Sequence, residues 1–192
     1  MANNIKIKIC GQNNPAIINH CLDLNISYQG LIFYEKSPRF IDMGTLSLVN
    51  QYFKSYKDKF VGVFVNSSID EIKNKLEVFD FDTIQLHGNE DQKFINKVKS
   101  NFKKKIYKSI SPEDFKTTKL IDVDQFLIEA KPSSNQMPGG NNKTWDWSDF
   151  KNIKKAISLT GANFVDINSG VEEQPGEKSL TLIDGIISSI YN

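Results

Sequence analysis

The sequence predicts an α/β fold of parallel strands joined by crossover helices, and three observations carry that reading. Strand-patterned and helix-patterned segments alternate along the whole chain. Their spacing is nearly uniform, and almost every strand-like run ends in a polar residue. No linker or composition break divides the 192 residues, so one domain over residues 1–192 is expected. Even spacing and polar strand ends favour a (βα) barrel over a doubly wound open sheet, because a barrel brings its strand ends to one site.

The first strand is read at 5–10 (IKIKIC), where apolar residues recur at every second position and Gly11 ends the run. Residues 15–24 follow as a helix, and 30–34 (GLIFY) as the second strand. Apolar positions 46, 49, 52 and 53 predict a helix over 46–56, ahead of a third strand at 60–65 (FVGVFV). Ser68 with Glu71 three residues later is a capping box, so a helix starts there. A short strand at 83–86 precedes a helix at 91–102, a strand at 105–110, a helix at 112–120 and a sixth strand at 125–130 (QFLIEA). A polar loop rich in Pro, Gly, Ser and Asn covers 131–143, and 145–159 is patterned as helix up to the stop at Thr160-Gly161. The last strand is expected at 164–167 (FVDI) and the last helix at 180–191.

Composition excludes several classes of function. A formal net charge of +1 gives no global field for nucleic acid or a membrane surface. The basic stretch at 99–108 lacks the aromatic platform or glycine pattern of a nucleic-acid site. No apolar run is long enough to span a bilayer, and no apolar leader opens the chain. Two cysteines, Cys10 and Cys21, make neither a disulfide framework nor a metal-ligand spacing and suit a reducing compartment, so a cytoplasmic location is expected.

The strand ends supply Cys10, Arg39, Gln85, His87, Glu129, Asp166 and Ser169. Singly, each has a plain role as a turn, cap or solvated charge. Together a thiol, a carboxyl group and an arginine make a candidate base, acid and anion clamp. The Asn168-Ser169-Gly170 turn adds backbone N–H groups and a hydroxyl that suit a phosphate.

Six blocks in the same order resemble the phosphoribosylanthranilate isomerase family: KICG at 8–11, FYEKSPR at 33–39, VGVFVN at 61–66, QLHG at 85–88, PGG at 138–140 with WDW at 145–147, and VDINSGVE at 165–172. The resemblance implies a TIM-type (βα) barrel and the Amadori rearrangement of N-(5-phosphoribosyl)anthranilate in L-tryptophan biosynthesis. It implies no metal and no organic cofactor, a small phosphorylated substrate, and either a monomer or a homodimer. By position, Cys10 would be the general base. Glu129 would be the general acid, standing where the family has Asp. Arg39 would hold the anthranilate carboxylate, with Gln85 and His87 in the substrate-binding set. Asp166 would lie close to the reacting ribose, and Ser169 and Gly170 would contribute to the phosphate site.

That chemistry suits these residue types. An acid protonates the furanose ring oxygen and the ring opens to an iminium. A base then removes the C2 proton, and the enolamine becomes a ketone. A thiolate near neutral pH needs cationic or N–H neighbours, since a free thiol has a pKa of about 8.5. The carboxylic acid has to keep its proton, which partial burial or a neighbouring negative charge favours.

Between the WDW block and the last strand the chain is shorter than the resemblance implies. The seventh strand and most of the sixth helix are expected to be absent, and 192 residues fall under the usual lower bound of about 200 for eight strands. Strand number, tilt and shear are linked, so the expectation is an opened or distorted barrel with a weakened phosphate seat. Two other readings go with it: a relative that binds a phosphorylated small molecule without turnover, and a kin of indole-glycerol-phosphate synthase. The second lacks that enzyme's lysine-based site and leaves KICG and QLHG unexplained.

Overall fold

Alternation at the start of the chain builds the first strand as expected. In β1 (Lys6–Cys10), Ile7 and Ile9 face outward onto helices while Lys8 and Cys10 face the other way. The computed structural model describes residues 5–129 and 161–191. After β1 come α1 (Pro15–Asp23), β2 (Tyr28–Ile32), α2 (Met43–Phe53) with a 3₁₀ turn (Lys54–Lys59), and β3 (Phe60–Phe64). Then follow α3 (Ile69–Val78), β4 (Thr83–Leu86), α4 (Gln92–Phe102), β5 (Lys105–Ile110), α5 (Pro112–Thr117) and β6 (Gln125–Ile128). The chain ends with β7 (Phe164–Ile167), a 3₁₀ turn (Ser169–Val171), a hairpin of β8 (Glu172–Gln174) and β9 (Glu177–Lys178), and α6 (Leu180–Tyr191).

Seven parallel strands form one sheet in the order β6-β5-β4-β3-β2-β1-β7. The first six lie in chain order and the last returns beside the first, which is the connectivity of a barrel. The sheet is curled. Tyr28 on β2, Tyr107 on β5 and Phe164 on β7 are not on neighbouring strands, yet their ring centroids lie 5.6–6.1 Å apart. They fill the concave interior with Val61, Val63, Ile32 and Leu127. Two further apolar layers sit between the convex face and the helices: Ile7, Ile9 and Ile167 against α1 and α6, and Leu31, Phe60, Phe64, Ile84, Leu86 and Ile106 against α2, α3 and α4. Each fully buried side chain of this size contributes about 1.5–3 kcal/mol.

Among the described residues no ladder joins β6 to β7. The loop expected at 131–143, the helix expected at 145–159 and the expected loss of a seventh strand and sixth helix all lie outside the described residues.

Several boundaries differ from expectation. β2 begins at Tyr28, two residues early, because the Tyr28 ring packs in the interior and Gln29 is buried on the sheet. α2 begins at Met43, since the Asp42 carboxylate caps it by accepting from Thr45 N at 2.9 Å. α5 stops at Thr117, and Glu129 falls just past the end of β6. The capping box at Ser68 and Glu71 forms as expected.

Candidate active site

Cys10 closes β1, and its register partner is Gly30 on β2. A Cβ on Gly30 would stand 2.7 Å from Cys10 Sγ, so only a glycine leaves room for the thiol. Gly11 takes a φ of +80°, and its N–H and that of Gln12 both donate to Gly30 O, at 2.9 and 2.8 Å. The tight turn holds Cys10 at the mouth of the concave face, 5% exposed.

Lys8 lies two residues before Cys10 on the same face, and its register partner is Asp166 on β7. Its ammonium group donates to Asp166 Oδ2 at 2.7 Å, with the Lys8 side chain at 0% exposure. Asp166 Oδ1 is buried and finds no hydrogen-bond partner among the described residues. Burial pushes the Cys10 thiol above its ordinary value, with Lys8 pulling it down and Asp166 pushing it up. For Lys8, burial favours loss of the proton, but Asp166 and Cys10 outweigh it and the net shift is upward. Lys8 is therefore a cation in this site.

A second charged cluster lies beside the first. Arg39, in the loop after β2, donates through Nε and Nη2 to the Glu172 carboxylate at 2.7–3.1 Å. Lys178 on β9 bonds the same carboxylate and reaches Asn168 O and Oδ1, each at 3.0 Å. All three charged side chains are under 5% exposed, and together they carry one net positive charge. The hairpin closes over the loop: a Cβ on Gly176, whose φ is +92°, would stand 2.4 Å from Pro38 O. Ser169 and Gly170 follow β7 on the 3₁₀ turn, at the same end of the sheet.

Across the interior, Glu129 leaves β6 held by Ile110 O, which accepts its N–H at 3.0 Å. Its carboxylate accepts from Ser109 Oγ at 3.2 Å and lies 3.3 Å from His87 Nε2. Gln85 Nε2 donates to Ser109 Oγ at 3.0 Å and lies 3.3 Å from His87 Nδ1. Gln85 and Ser109 are buried, while the Glu129 side chain is 33% exposed and faces the mouth.

The structure thus gathers the expected residues into two groups at one end of the sheet. Cys10, Asp166 and Arg39 stand on the β1–β2–β7 side, and Gln85, His87 and Glu129 on the β4–β6 side. Sequence reasoning missed Lys8, Ser109, Glu172 and Lys178. Strand alternation was the available signal for Lys8, at i−2 from Cys10. Glu172 and Lys178 come together through a hairpin too short to show in a pattern. Among the described residues no group of three or more His, Cys, Asp or Glu could hold a metal ion, and no helix is long and apolar enough to cross a membrane.

A model of the family N-(5'-phosphoribosyl)anthranilate (PRA) isomerase matches residues 7–155 and 148–189. The N-(5'-phosphoribosyl)anthranilate isomerase of Sinorhizobium fredii (strain NBRC 101917 / NGR234) is 31% identical over 207 residues, covering 96% of this chain and 92% of its own. That alignment is longer than the 192-residue chain, so the relative carries residues this chain lacks. The phosphoribosyl anthranilate isomerase of Thermotoga maritima superposes with a TM-score of 0.81 at 24% identity, over 97% of this chain and 98% of that one. A phosphoribosyl anthranilate isomerase in complex with reduced 1-(o-carboxyphenylamino)-1-deoxyribulose 5-phosphate superposes at 0.79 and 22% identity, over 97% and 98%. At these identities the two structures speak for the TIM-type (βα) barrel fold.

Proposed function

Because the chain belongs to the N-(5'-phosphoribosyl)anthranilate isomerase family, we propose that it carries out the family's rearrangement with Cys10 as general base and Glu129 as general acid. It is an isomerase of tryptophan biosynthesis. The finer class we assign is an intramolecular oxidoreductase of the aldose–ketose type: C2 of the sugar is oxidised from alcohol to ketone while C1 is reduced from the aldehyde level to a methylene amine. Residues 1–192 act in this reading as one domain. Two free, buried cysteines suit a reducing cytoplasm.

One observation carries the assignment. Parallel strands bring Cys10 and Glu129 to the same end of a curled sheet, with the concave interior between them. Glu129 gives its proton to the furanose oxygen, the C1–O bond breaks and an iminium forms at C1. The Cys10 thiolate takes the C2 proton, and the electron pair moves into C1=C2. The enolamine then gains a proton at C1 as C2 becomes a ketone. The buried, unpartnered Asp166 Oδ1 is an acceptor for a ribose hydroxyl, and Gln85 Oε1 is a second one on the far side. Arg39, with Nη1 outside its bond to Glu172, serves the anthranilate carboxylate. Ser169 and Gly170 serve the phosphate from the turn after β7.

Glu129 is one methylene longer than an aspartate. Its carboxylate is braced by Ser109 and His87, which fix where the longer arm ends. The test is loss of fluorescence of phosphoribosylanthranilate generated in situ. The protein should turn it over, and Glu129→Ala should lower kcat by about a hundredfold or more, the scale of acid–base catalysis. A Glu129→Ala variant with wild-type kcat would remove the acid assignment. The named relatives are isomerases, and no observation favours a binding-only descendant.

A further inference from the structure

A lysine at 0% exposure inside a sheet needs a reason, since burying an ammonium group is costly unless it is paired and hydrogen-bonded. Asp166 supplies a charge partner but takes only one of the three N–H donors of Lys8. Cys10 stands two residues further along the same strand, on the same face of the sheet. The two side chains meet over Gly30, where a single added Cβ would stand 2.7 Å from Cys10 Sγ and 3.1 Å from Lys8 Cε.

We propose that Lys8 is a positioning residue for the base: held by Asp166, its ammonium group hydrogen-bonds the Cys10 sulfur once the proton has left, and so sets the pH at which the thiolate forms. This rests on the reading of Cys10 as base. The charged groups around the sulfur are Lys8 on its own strand, Asp166 on β7, and Arg39, Glu172 and Lys178 from the loop after β2 and the hairpin. The last three are bonded to one another, which leaves Lys8 as the cation on the sulfur's own strand face. Burial and Asp166 act against the thiolate; Lys8 and Lys178 act for it. Lys8 and Asp166 thus push in opposite directions, although they form one ion pair. A purely structural pair would give the thiol no such dependence.

The experiment is the pH dependence of Cys10 alkylation by iodoacetamide, with the labelled cysteine identified by peptide mass spectrometry so that Cys21 is scored apart. Lys8→Met should raise the midpoint by at least about one pH unit, which slows alkylation about tenfold below the midpoint. Lys8→Arg, which keeps the charge, should stay close to the wild type. The acid limb of kcat/KM should follow the same order. An unchanged midpoint in Lys8→Met overturns the proposal. If Lys8→Met does not fold, Lys8→Gln takes its place and has to show the same rise of the midpoint. If the alkylation shifts appear while Cys10→Ala keeps full activity, the base reading fails and the control of the thiol by Lys8 stands.

Discussion

Replacing Gly30 by alanine probes the site without replacing a charged or reacting group. The added Cβ would lie 2.7 Å from Cys10 Sγ, 3.1 Å from Cys10 Cα and 3.1 Å from Lys8 Cε. Ordinary contact between such atoms begins at about 3.5 Å, so the sulfur must move by roughly 1 Å or the strands must part. Relief by backbone movement is opposed by the parallel ladder that pairs Cys10 with Gly30. Two effects follow. Overpacking costs about 1–3 kcal/mol, offset in part by the 0.5–1 kcal/mol that alanine gains over glycine in a strand interior. The melting temperature should therefore fall by a few degrees, at about 2–4 °C per kcal/mol for a chain of this size. The larger effect is catalytic, since a displacement of about 1 Å at a reacting group costs on the order of a hundredfold. Gly30→Ala should keep its circular dichroism spectrum, melt a few degrees early and lose about a hundredfold in kcat/KM. Wild-type kcat/KM in a folded Gly30→Ala protein would refute the placement of the thiol against β2.

Two further outcomes are expected. Burial alone would raise the Glu172 carboxyl, but Arg39 and Lys178 outweigh it and hold it below its usual value near 4.5. A carboxyl depressed in the fold contributes stability that is present above that value and is lost as the pH falls through the folded one. Glu172→Gln leaves two buried cations without their carboxylate and should cost about 3–5 kcal/mol at pH 7. Its melting temperature should also fall less between pH 5 and pH 3 than the wild type's, as thermal melts across that range would show; parallel profiles would contradict the assignment. For the base, burial pushes the thiol up, and the thiolate is the active form, so kcat/KM should rise with pH through a midpoint above about 8.5. A midpoint at or below about 8.5 would contradict this.

How much was legible depended on how local each cause was. Period-two alternation in residues 5–10 and the glycine after it were enough to put Cys10 at a strand end. The same alternation carried Lys8 to the same face, but lysine reads by default as a solvated residue, and only the register with Asp166 shows why it is buried. Arg39 was visible as a strand-end cation. Its partner Glu172 lies 133 residues away and reaches it through a hairpin whose strands are three and two residues long, too short for any periodic signal. Tyr28 shows the same limit at a boundary: the strand starts there because its ring meets Tyr107 and Phe164 inside the curl, a contact among three strands. Glu129 reads as part of a strand at 125–130, whereas β6 ends at Ile128, and its bracing by Ser109 and His87 depends on strands β4 and β5.

In the proposed reaction the thiol of Cys10, as thiolate, removes the C2 proton of the sugar. The most direct measurement compares Cys10→Ala with the wild type on phosphoribosylanthranilate generated in situ, following its fluorescence, with circular dichroism as the check on folding. Clear turnover by the wild type is expected, with a kcat lower by about a hundredfold or more in the variant. A folded Cys10→Ala protein with kcat within a few-fold of the wild type would contradict it.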